Sequence, residues 1–190
     1  MRAVMIPDHE WLAERARLGL DNQDEVWDGV LHMPPQPGSD HQRRESDLEF
    51  ILKPRAAATG LDVFHQISIF GATSTDAKQN YRIPDITVVD PQFVSKRGVE
   101  TRAEIVIEIL SPNDESRDKL PFFAACGIPE VWLFEPSTRA IEVYVLRGEV
   151  YFAIMADRAG VVRAPRLDLE LTVVEGPRLR VSWADGSTEI

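Results

Sequence analysis

The sequence predicts an α/β fold in which a mixed central sheet is flanked by helices. Two helical patterns precede residue 60, four β-rich segments lie between residues 61 and 136, and a helical segment separates the last of these from the others. The chain has 190 residues, 44% of them hydrophobic, which is enough to close one packed core. No linker or repeat divides it, so we expect a single domain over residues 1–190, with its core at about 20–150 and closing strands after it.

The first two predicted helices enclose a β-segment. HEWLAERARLGL (9–20) predicts a short helix, and EVWDGVLHM (25–33) predicts a β-segment with a turn at Asp28-Gly29. After the loop PPQPGS, Asp40 is a candidate cap for a second helix that ends near Gly60, at Pro54 or at the alanine run. The apolar stripe of this helix consists of Leu48, Ile51 and Leu52.

Three strands of the central sheet are expected next. LDVFHQISIF (61–70), IPDITVVD (83–90) and EIVIEIL (104–110) are rich in β-branched and alternating apolar residues. GATSTDAKQN (71–80), between the first two, is a polar loop.

A helix and a fourth strand complete the predicted core. SPND (111–114) offers Ser and Asp as helix caps, and ESRDKLPFFAAC (115–126) predicts a helix that is broken or bent at Pro121. EVWLFEP (130–136) predicts the fourth strand, and a hairpin over 141–155 is followed by weakly alternating closing strands.

Cysteine usage and hydropathy indicate the compartment. Cys126 is the only cysteine, so no internal disulfide can form. We therefore expect a protein of the reducing cytoplasm, in which Cys126 is a small core residue. No apolar run approaches the roughly 20 residues of a membrane helix, and the N-terminus lacks the apolar segment of a secretory signal.

The net charge is the main evidence against a nucleic-acid partner. It is −10 for the whole chain, whereas phosphate backbones are bound through Lys and Arg. The charge is uneven, because residues 1–40 carry three basic and eight acidic groups, whereas residues 41–120 carry eleven basic and thirteen acidic groups. The central segment is therefore nearly neutral, and a bound metal would cancel part of its acidity.

Glu108 is the first candidate site residue. Alternation along EIVIEIL places Ile105, Ile107 and Ile109 on one face of the strand and Glu108 on the other. A run this apolar is typical of a strand buried on both faces, where a carboxylate must be paired, protonated or bound to a cation. On this strand alone, a metal ligand and a structural group such as a buried Glu–Arg pair are equally compatible.

Asp85 is the second candidate. It follows Pro84 at the start of a strand, where an isolated aspartate is usually a turn residue. Asp85 and Glu108 together, however, place one acidic residue on each of two strands, and neighbouring strands would bring both within reach of one ion. Oxygen ligands of this kind suit Mg²⁺ or Mn²⁺.

The order PD, then E in an apolar strand, resembles the PD-(D/E)XK nuclease superfamily. EVWDGVLHMPPQPGSDHQ, YRIPDITVVD and IEILSPNDESRDKLPFFAACGIPEVWLFEP more closely resemble the Uma family of putative restriction endonucleases. The resemblance covers roughly residues 20–150. It implies a restriction-endonuclease-like core in which Asp85 and Glu108 are catalytic and hold the metal.

The resemblance also implies a displaced lysine. The superfamily's lysine would stand two residues after Glu108, where this chain has Leu110, and the family pattern offers Lys119 on the following helix instead. There it would orient the attacking water or stabilise the charge that develops on the phosphate. The alternative is an exposed helix lysine paired with Asp114 or Glu115.

Two weaker candidates come from the same resemblance. Glu25 matches an acidic position in the family's first β-segment, and His41 matches a recurrent histidine one helical turn before Glu45. A surface glutamate and a packing histidine are the alternatives. The other histidines and Cys126 lack the spacing of a zinc site.

These observations predict a Mg²⁺- or Mn²⁺-dependent endonuclease that acts on DNA. The alternative is a catalytically silent nuclease-like interaction module, favoured by the net charge of −10 and by the displaced lysine. A homodimer is expected, because nucleases that cut both strands often act as a two-fold pair. Its expected contact consists of the hairpin aromatics Tyr144, Tyr151 and Phe152.

Overall fold

The structure is a computed structural model that describes residues 9–71, 80–111, 115–176 and 178–190. The α-helices in these ranges are α1 (His9–Arg17), α2 (Ser39–Ala58) and α3 (Leu120–Ala125). Short 3₁₀ helices occur at Pro91–Phe93 and Ser116–Lys119. The strands are, in chain order, β1 (Glu25–Trp27), β2 (Val30–His32), β3 (Asp62–His65), β4 (Ile69–Phe70), β5 (Tyr81–Arg82), β6 (Ile86–Val89), β7 (Val94–Ser95), β8 (Gly98–Glu100), β9 (Ile105–Ile109), β10 (Glu130–Phe134), β11 (Ile141–Arg147), β12 (Val150–Ala153), β13 (Val161–Ala164), β14 (Leu169–Val174), β15 (Arg178–Trp183) and β16 (Gly186–Glu189).

Six strands form the central sheet in the order β12-β11-β10-β9-β6-β3. The middle pair, β9 and β10, is parallel, and the other neighbours are antiparallel. Both middle strands are buried along their whole length, as expected for strands that are covered on both faces. The predicted mixed α/β fold is therefore confirmed.

The two faces of the central sheet carry separate apolar clusters. On one face, Ile107 packs with Leu52 of α2 and with Leu171 of the C-terminal sheet, which consists of β13 to β16. On the other face, Val106 packs with Phe123 of α3. Consecutive residues of β9 thus enter different clusters, and the predicted alternation is confirmed.

A second six-stranded sheet, in the order β2-β1-β5-β4-β8-β7, carries the hairpin β1–β2. The hairpin turns at Asp28 and Gly29, with φ of 49° and 84°, so the turn predicted there is confirmed. Two consecutive positive φ values are the conformation that tight hairpin turns require. The turn sets Glu25 opposite His32 across the two strands.

Helix α2 begins differently from the prediction. Its N-cap is Gly38, and the prediction that Asp40 caps it is wrong. Asp40 lies in the first turn, where a negative charge is favourable, and its Oδ1 accepts a hydrogen bond from Arg44 at 3.3 Å. Pro54 lies within the helix, which ends just before Gly60, a residue with φ of 79°.

The segment 61–70 is not one strand. β3 belongs to the central sheet and β4 to the second sheet, with Gln66 at φ 48° between them. A positive φ at a residue other than glycine is uncommon, and it redirects the chain from one sheet to the other. The predicted polar loop at 71–80 and the predicted cap SPND lie largely outside the described residues.

The helical prediction over 115–126 corresponds to a 3₁₀ helix followed by α3. Pro121 lies in the first turn of α3, so the break expected there is found at the junction of the two helices. Cys126 follows α3 and is buried, as predicted for a core residue. None of the helices in the described ranges is long and apolar enough to cross a membrane.

Candidate active site

Asp85 stands directly before β6, beside the end of β9. The antiparallel register pairs Ile86 with Ile107, so Asp85 and Glu108 occupy the next facing positions on neighbouring strands, as predicted. Asp85 Oδ2 accepts a hydrogen bond of 2.6 Å from the backbone N–H of Ile109. The neighbouring strand therefore fixes this carboxylate directly.

Glu108 is buried on the face of β9 that carries Val106. Lys119 Nζ donates to its Oε1 at 3.0 Å and to its Oε2 at 3.2 Å. Ser116 Oγ donates to Oε2 at 3.4 Å. Glu108 is therefore part of a buried ion pair, and its cation is a lysine rather than the arginine of the structural alternative.

Lys119 ends the 3₁₀ helix before α3 and is 9% exposed. Its Nζ also donates to Glu25 Oε1 at 2.9 Å, so the ammonium group bridges two carboxylates. Glu25 is held in turn by the backbone N–H of Ile83 at 2.7 Å and by Trp27 Nε1 at 2.6 Å. The alternatives of an exposed helix lysine and of a surface glutamate are wrong.

Burial and crowding shift the protonation of this group of side chains. Burial raises the pKa of Glu108 well above its ordinary value; Lys119 opposes this effect, and Asp85 and Glu25 add to it. Burial acts to lower the pKa of Lys119, but Glu108 and Glu25 together raise it above its ordinary value. Two carboxylates, those of Glu25 and Glu108, therefore share one buried ammonium group. The charge of Asp85 adds to the negative charge around Glu108, which favours the binding of a further cation.

Helix α2 contributes two polar side chains near Asp85. His41 Nε2 lies 3.0 Å from Asp85 Oδ1. Glu45, one turn later, is 6% exposed, and its Oε1 has no hydrogen-bond partner within the described ranges. Burial raises the pKa of Glu45 to about 7, and the charge of Asp85 adds to the shift.

The acidic groups beside Lys119 and the ring of His41 border a cavity of about 460 Å³, whose lining does not include Glu45. The structure brings together at this cavity all of the site residues predicted from the sequence, which are Glu25, His41, Asp85, Glu108 and Lys119. The rest of the lining includes aromatic and apolar groups from the hairpin β1–β2 and from residues 33–37. A cavity that is lined by a few charged side chains together with apolar groups is typical of a small-molecule or substrate site.

His32 and Glu115 line the same cavity but were not singled out from the sequence. His32 stacks on Trp27, with ring centroids 3.9 Å apart and ring planes 14° apart. Its Nδ1 lies 3.3 Å from Glu115 Oε2. The signal in the sequence that could have found His32 is the tight hairpin turn at Asp28-Gly29, which sets His32 opposite Glu25.

A divalent metal is implied by the PD-(D/E)XK resemblance, and the donors present fit it. Among the residues that the structure describes, no group of three or more His, Cys, Asp or Glu side chains forms a metal site. Mg²⁺ and Mn²⁺ keep several waters, however, and need only one or two carboxylates from the protein. Asp85 and Glu108, at facing positions beside the cavity, are the residues that would hold such an ion.

Comparisons with known proteins identify the family of the chain and its fold. The chain matches the family Uma2, described as putative restriction endonuclease, over residues 13–174. A search of curated proteins found no match. Among solved structures, the chain is similar to a putative nuclease belonging to DUF820 from Anabaena variabilis, at 17% identity and a TM-score of 0.59, over 76% of this chain and 83% of that chain. This likeness confirms the restriction-endonuclease-like fold.

Proposed function

Because the chain belongs to the Uma2 family of putative restriction endonucleases, we propose that its cavity hydrolyses phosphodiester bonds in DNA. The observation that carries the proposal is the position of Lys119, which lies eleven residues after Glu108 and yet contacts it inside the cavity lining. Burying a lysine among carboxylates costs desolvation energy. Such perturbed, buried charges at a cavity are characteristic of functional sites.

Asp85 and Glu108 would hold a Mg²⁺ or Mn²⁺ ion, which supplies Lewis acidity toward a phosphate oxygen and lowers the pKa of bound water. Lys119 donates N–H groups that orient the attacking water or stabilise negative charge on the phosphate. Glu25 holds Lys119 from the other side. Ile109 and His41 fix the two oxygens of Asp85, so the site is oriented before substrate binds.

Cleavage and metal binding test the proposal separately. Supercoiled plasmid, linear duplex and single-stranded DNA are incubated with wild-type protein and Mg²⁺, Mn²⁺ or chelator, and Mn²⁺ binding is measured by calorimetry. Asp85→Asn, Glu108→Gln and Lys119→Met should each reduce cleavage at least about 100-fold, and the two carboxylate variants should also lose Mn²⁺ binding. Asp118→Asn, an exposed neighbour of Lys119, is the matched control and should cleave like the wild type.

A second candidate is a catalytically silent nuclease-like module, favoured by the net charge of −10. DNA binding depends on Lys and Arg residues that neutralise phosphates, and this chain has 21 basic residues against 31 acidic ones. A folded wild-type protein that binds no Mn²⁺ and cleaves none of the three DNA forms would support this candidate and overturn the nuclease proposal.

A further inference from the structure

We infer that His32 is the general acid of the reaction and donates the proton that the leaving oxygen takes up. The inference rests on the proposed function, and it adds a residue outside the acidic motif. His32 lies on β2 and lines the same cavity as Asp85 and Glu108. Its side chain is 17% exposed, so it is shielded from bulk water but accessible from the cavity.

The ring of His32 is held in a fixed position relative to the acidic groups. Trp27 Nε1 donates to Glu25 Oε2 at 2.6 Å, and the Trp27 ring stacks on His32 at 3.9 Å. The Arg82 guanidinium lies 4.6 Å from the centre of the Trp27 ring and adds a cation–π contact. A short chain of contacts therefore connects His32 to Glu25, which itself contacts Lys119.

The contact with Glu115 assigns a role to each ring nitrogen. Glu115 Oε2 lies 3.3 Å from His32 Nδ1 and accepts a hydrogen bond from the Nδ1–H of the imidazolium. The Nε2–H of the same ring is left to donate to substrate. Other ionisable groups line the cavity together with His32. These are Glu25, His41, Asp85, Glu108, Glu115 and Lys119.

The proposed step is balanced in atoms and protons. The oxygen of water forms a bond to phosphorus, and the bond from phosphorus to the leaving deoxyribose oxygen breaks, with its electron pair going to that oxygen. The Nε2 proton of His32 is transferred to the same oxygen, which leaves as an alcohol. The proton of the attacking water is released to solvent, and His32 regains a proton from solvent before the next cycle.

A sulfur leaving group tests this role, because a thiolate departs without protonation. The ends of the wild-type products identify the leaving position, and a substrate with sulfur at that position is compared with the ordinary DNA. His32→Gln should lower kcat on ordinary DNA by about 100-fold or more, and the loss on the sulfur substrate should be about 10-fold smaller. The wild-type kcat on ordinary DNA should fall at high pH, and His32→Gln should abolish that dependence. His65→Gln, at a side chain that is 63% exposed, is the matched control.

The outcomes separate the two hypotheses. An equal loss on both substrates, or no loss on ordinary DNA, overturns the inference and leaves the proposed nuclease activity standing. A wild-type protein that cleaves neither substrate overturns both. Glu115→Gln changes a side chain that is 41% exposed, so it preserves folding if His32→Gln does not. Glu115→Gln should lower kcat on ordinary DNA less than His32→Gln does, and the loss should again be smaller on the sulfur substrate. A loss of kcat that is equal on both substrates overturns the inference.

Discussion

Lys119 Nζ lies 3.0 Å from Glu108 Oε1, and both side chains are almost completely withdrawn from solvent. An ion pair of this kind adds little net stability compared with apolar residues, but removing one partner leaves an uncompensated buried charge. Glu25 is the second partner of the same ammonium group. The three groups therefore depend on one another both for folding and for the proposed chemistry.

Lys119→Met should destabilise the protein by roughly 3–5 kcal/mol, because it leaves Glu25 and Glu108 buried without a cation. Urea unfolding at neutral pH measures this loss. Lys53→Met is the control, since Lys53 is 58% exposed and pairs with Glu49 one turn away on α2, an arrangement that contributes about 0.5 kcal/mol or less. A similar small effect for both variants would contradict the buried ion pair.

The free energy of unfolding of Glu108→Gln should increase relative to that of the wild type as the pH rises. The pKa of Glu108 is raised in the folded protein, so the folded state binds more protons than the unfolded state above the ordinary value of 4.5. Wild-type stability contributed by this group is therefore present at low pH and is lost as the pH rises through the raised pKa. Chemical unfolding of both proteins in chelator, from pH 5 to pH 8, measures the difference.

Asp85→Asn in chelator should leave the melting temperature unchanged or raise it, since it relieves repulsion with Glu108 while keeping an oxygen for the Ile109 N–H. With Mn²⁺, the wild type should gain stability by mass action and the variant should not. The absence of a Mn²⁺-dependent shift in the wild type would contradict the metal-binding role of Asp85 and Glu108.

Glu45→Gln should stabilise the protein at pH 8 and have little effect at pH 4. The pKa of Glu45 is raised from 4.5 to about 7, so its contribution to wild-type stability falls between these two pH values. One pKa unit corresponds to about 1.4 kcal/mol, and the gain at pH 8 should be at most about 3.5 kcal/mol. Thermal melts at both pH values test this, with Glu149→Gln in the exposed β11–β12 turn as the control.

The positions of Asp85 and Glu108 could be predicted because they follow from local rules. Strand periodicity and one acid per strand place both carboxylates at facing positions. Lys119 could be reached only through the family resemblance, since no periodicity relates a 3₁₀ helix to a strand eleven residues earlier. The contact of His32 with Glu115 joins residues 83 positions apart and has no local pattern that indicates it.

The course of the chain between the two sheets was also beyond prediction. Residues 61–70 form two strands in different sheets because Gln66 adopts a positive φ of 48°. A glutamine in the sequence does not predict this conformation. Similarly, weak alternation indicated strands after residue 160, but not that they pair only with one another in a separate sheet. Such pairings are set by long-range packing rather than by local preference.

Self-association through the C-terminal hairpin remains a prediction, with a revised contact surface. Tyr144 and Tyr151 donate their hydroxyl hydrogens to Glu142 and to the backbone carbonyl of Ile128, and both pack against the cluster that contains Val106. Phe152, on the edge strand β12, is 49% exposed. Sedimentation at tens of micromolar, an order-of-magnitude choice for a modest interface, should show a dimer that Phe152→Ser weakens. A wild type that is only monomeric there would contradict it.

The cluster that joins Ile107, Leu52 and Leu171 has a thermodynamic consequence. The strand that carries Glu108 shares this cluster with the C-terminal sheet, so loosening the last strands exposes apolar surface directly beneath the acidic site. Calorimetry should therefore show one cooperative transition rather than a separate melting of the C-terminal sheet, residues 161–189. Substitutions at Leu171 would then lower metal affinity from a distance, by raising the population of molecules in which Asp85 and Glu108 no longer face each other.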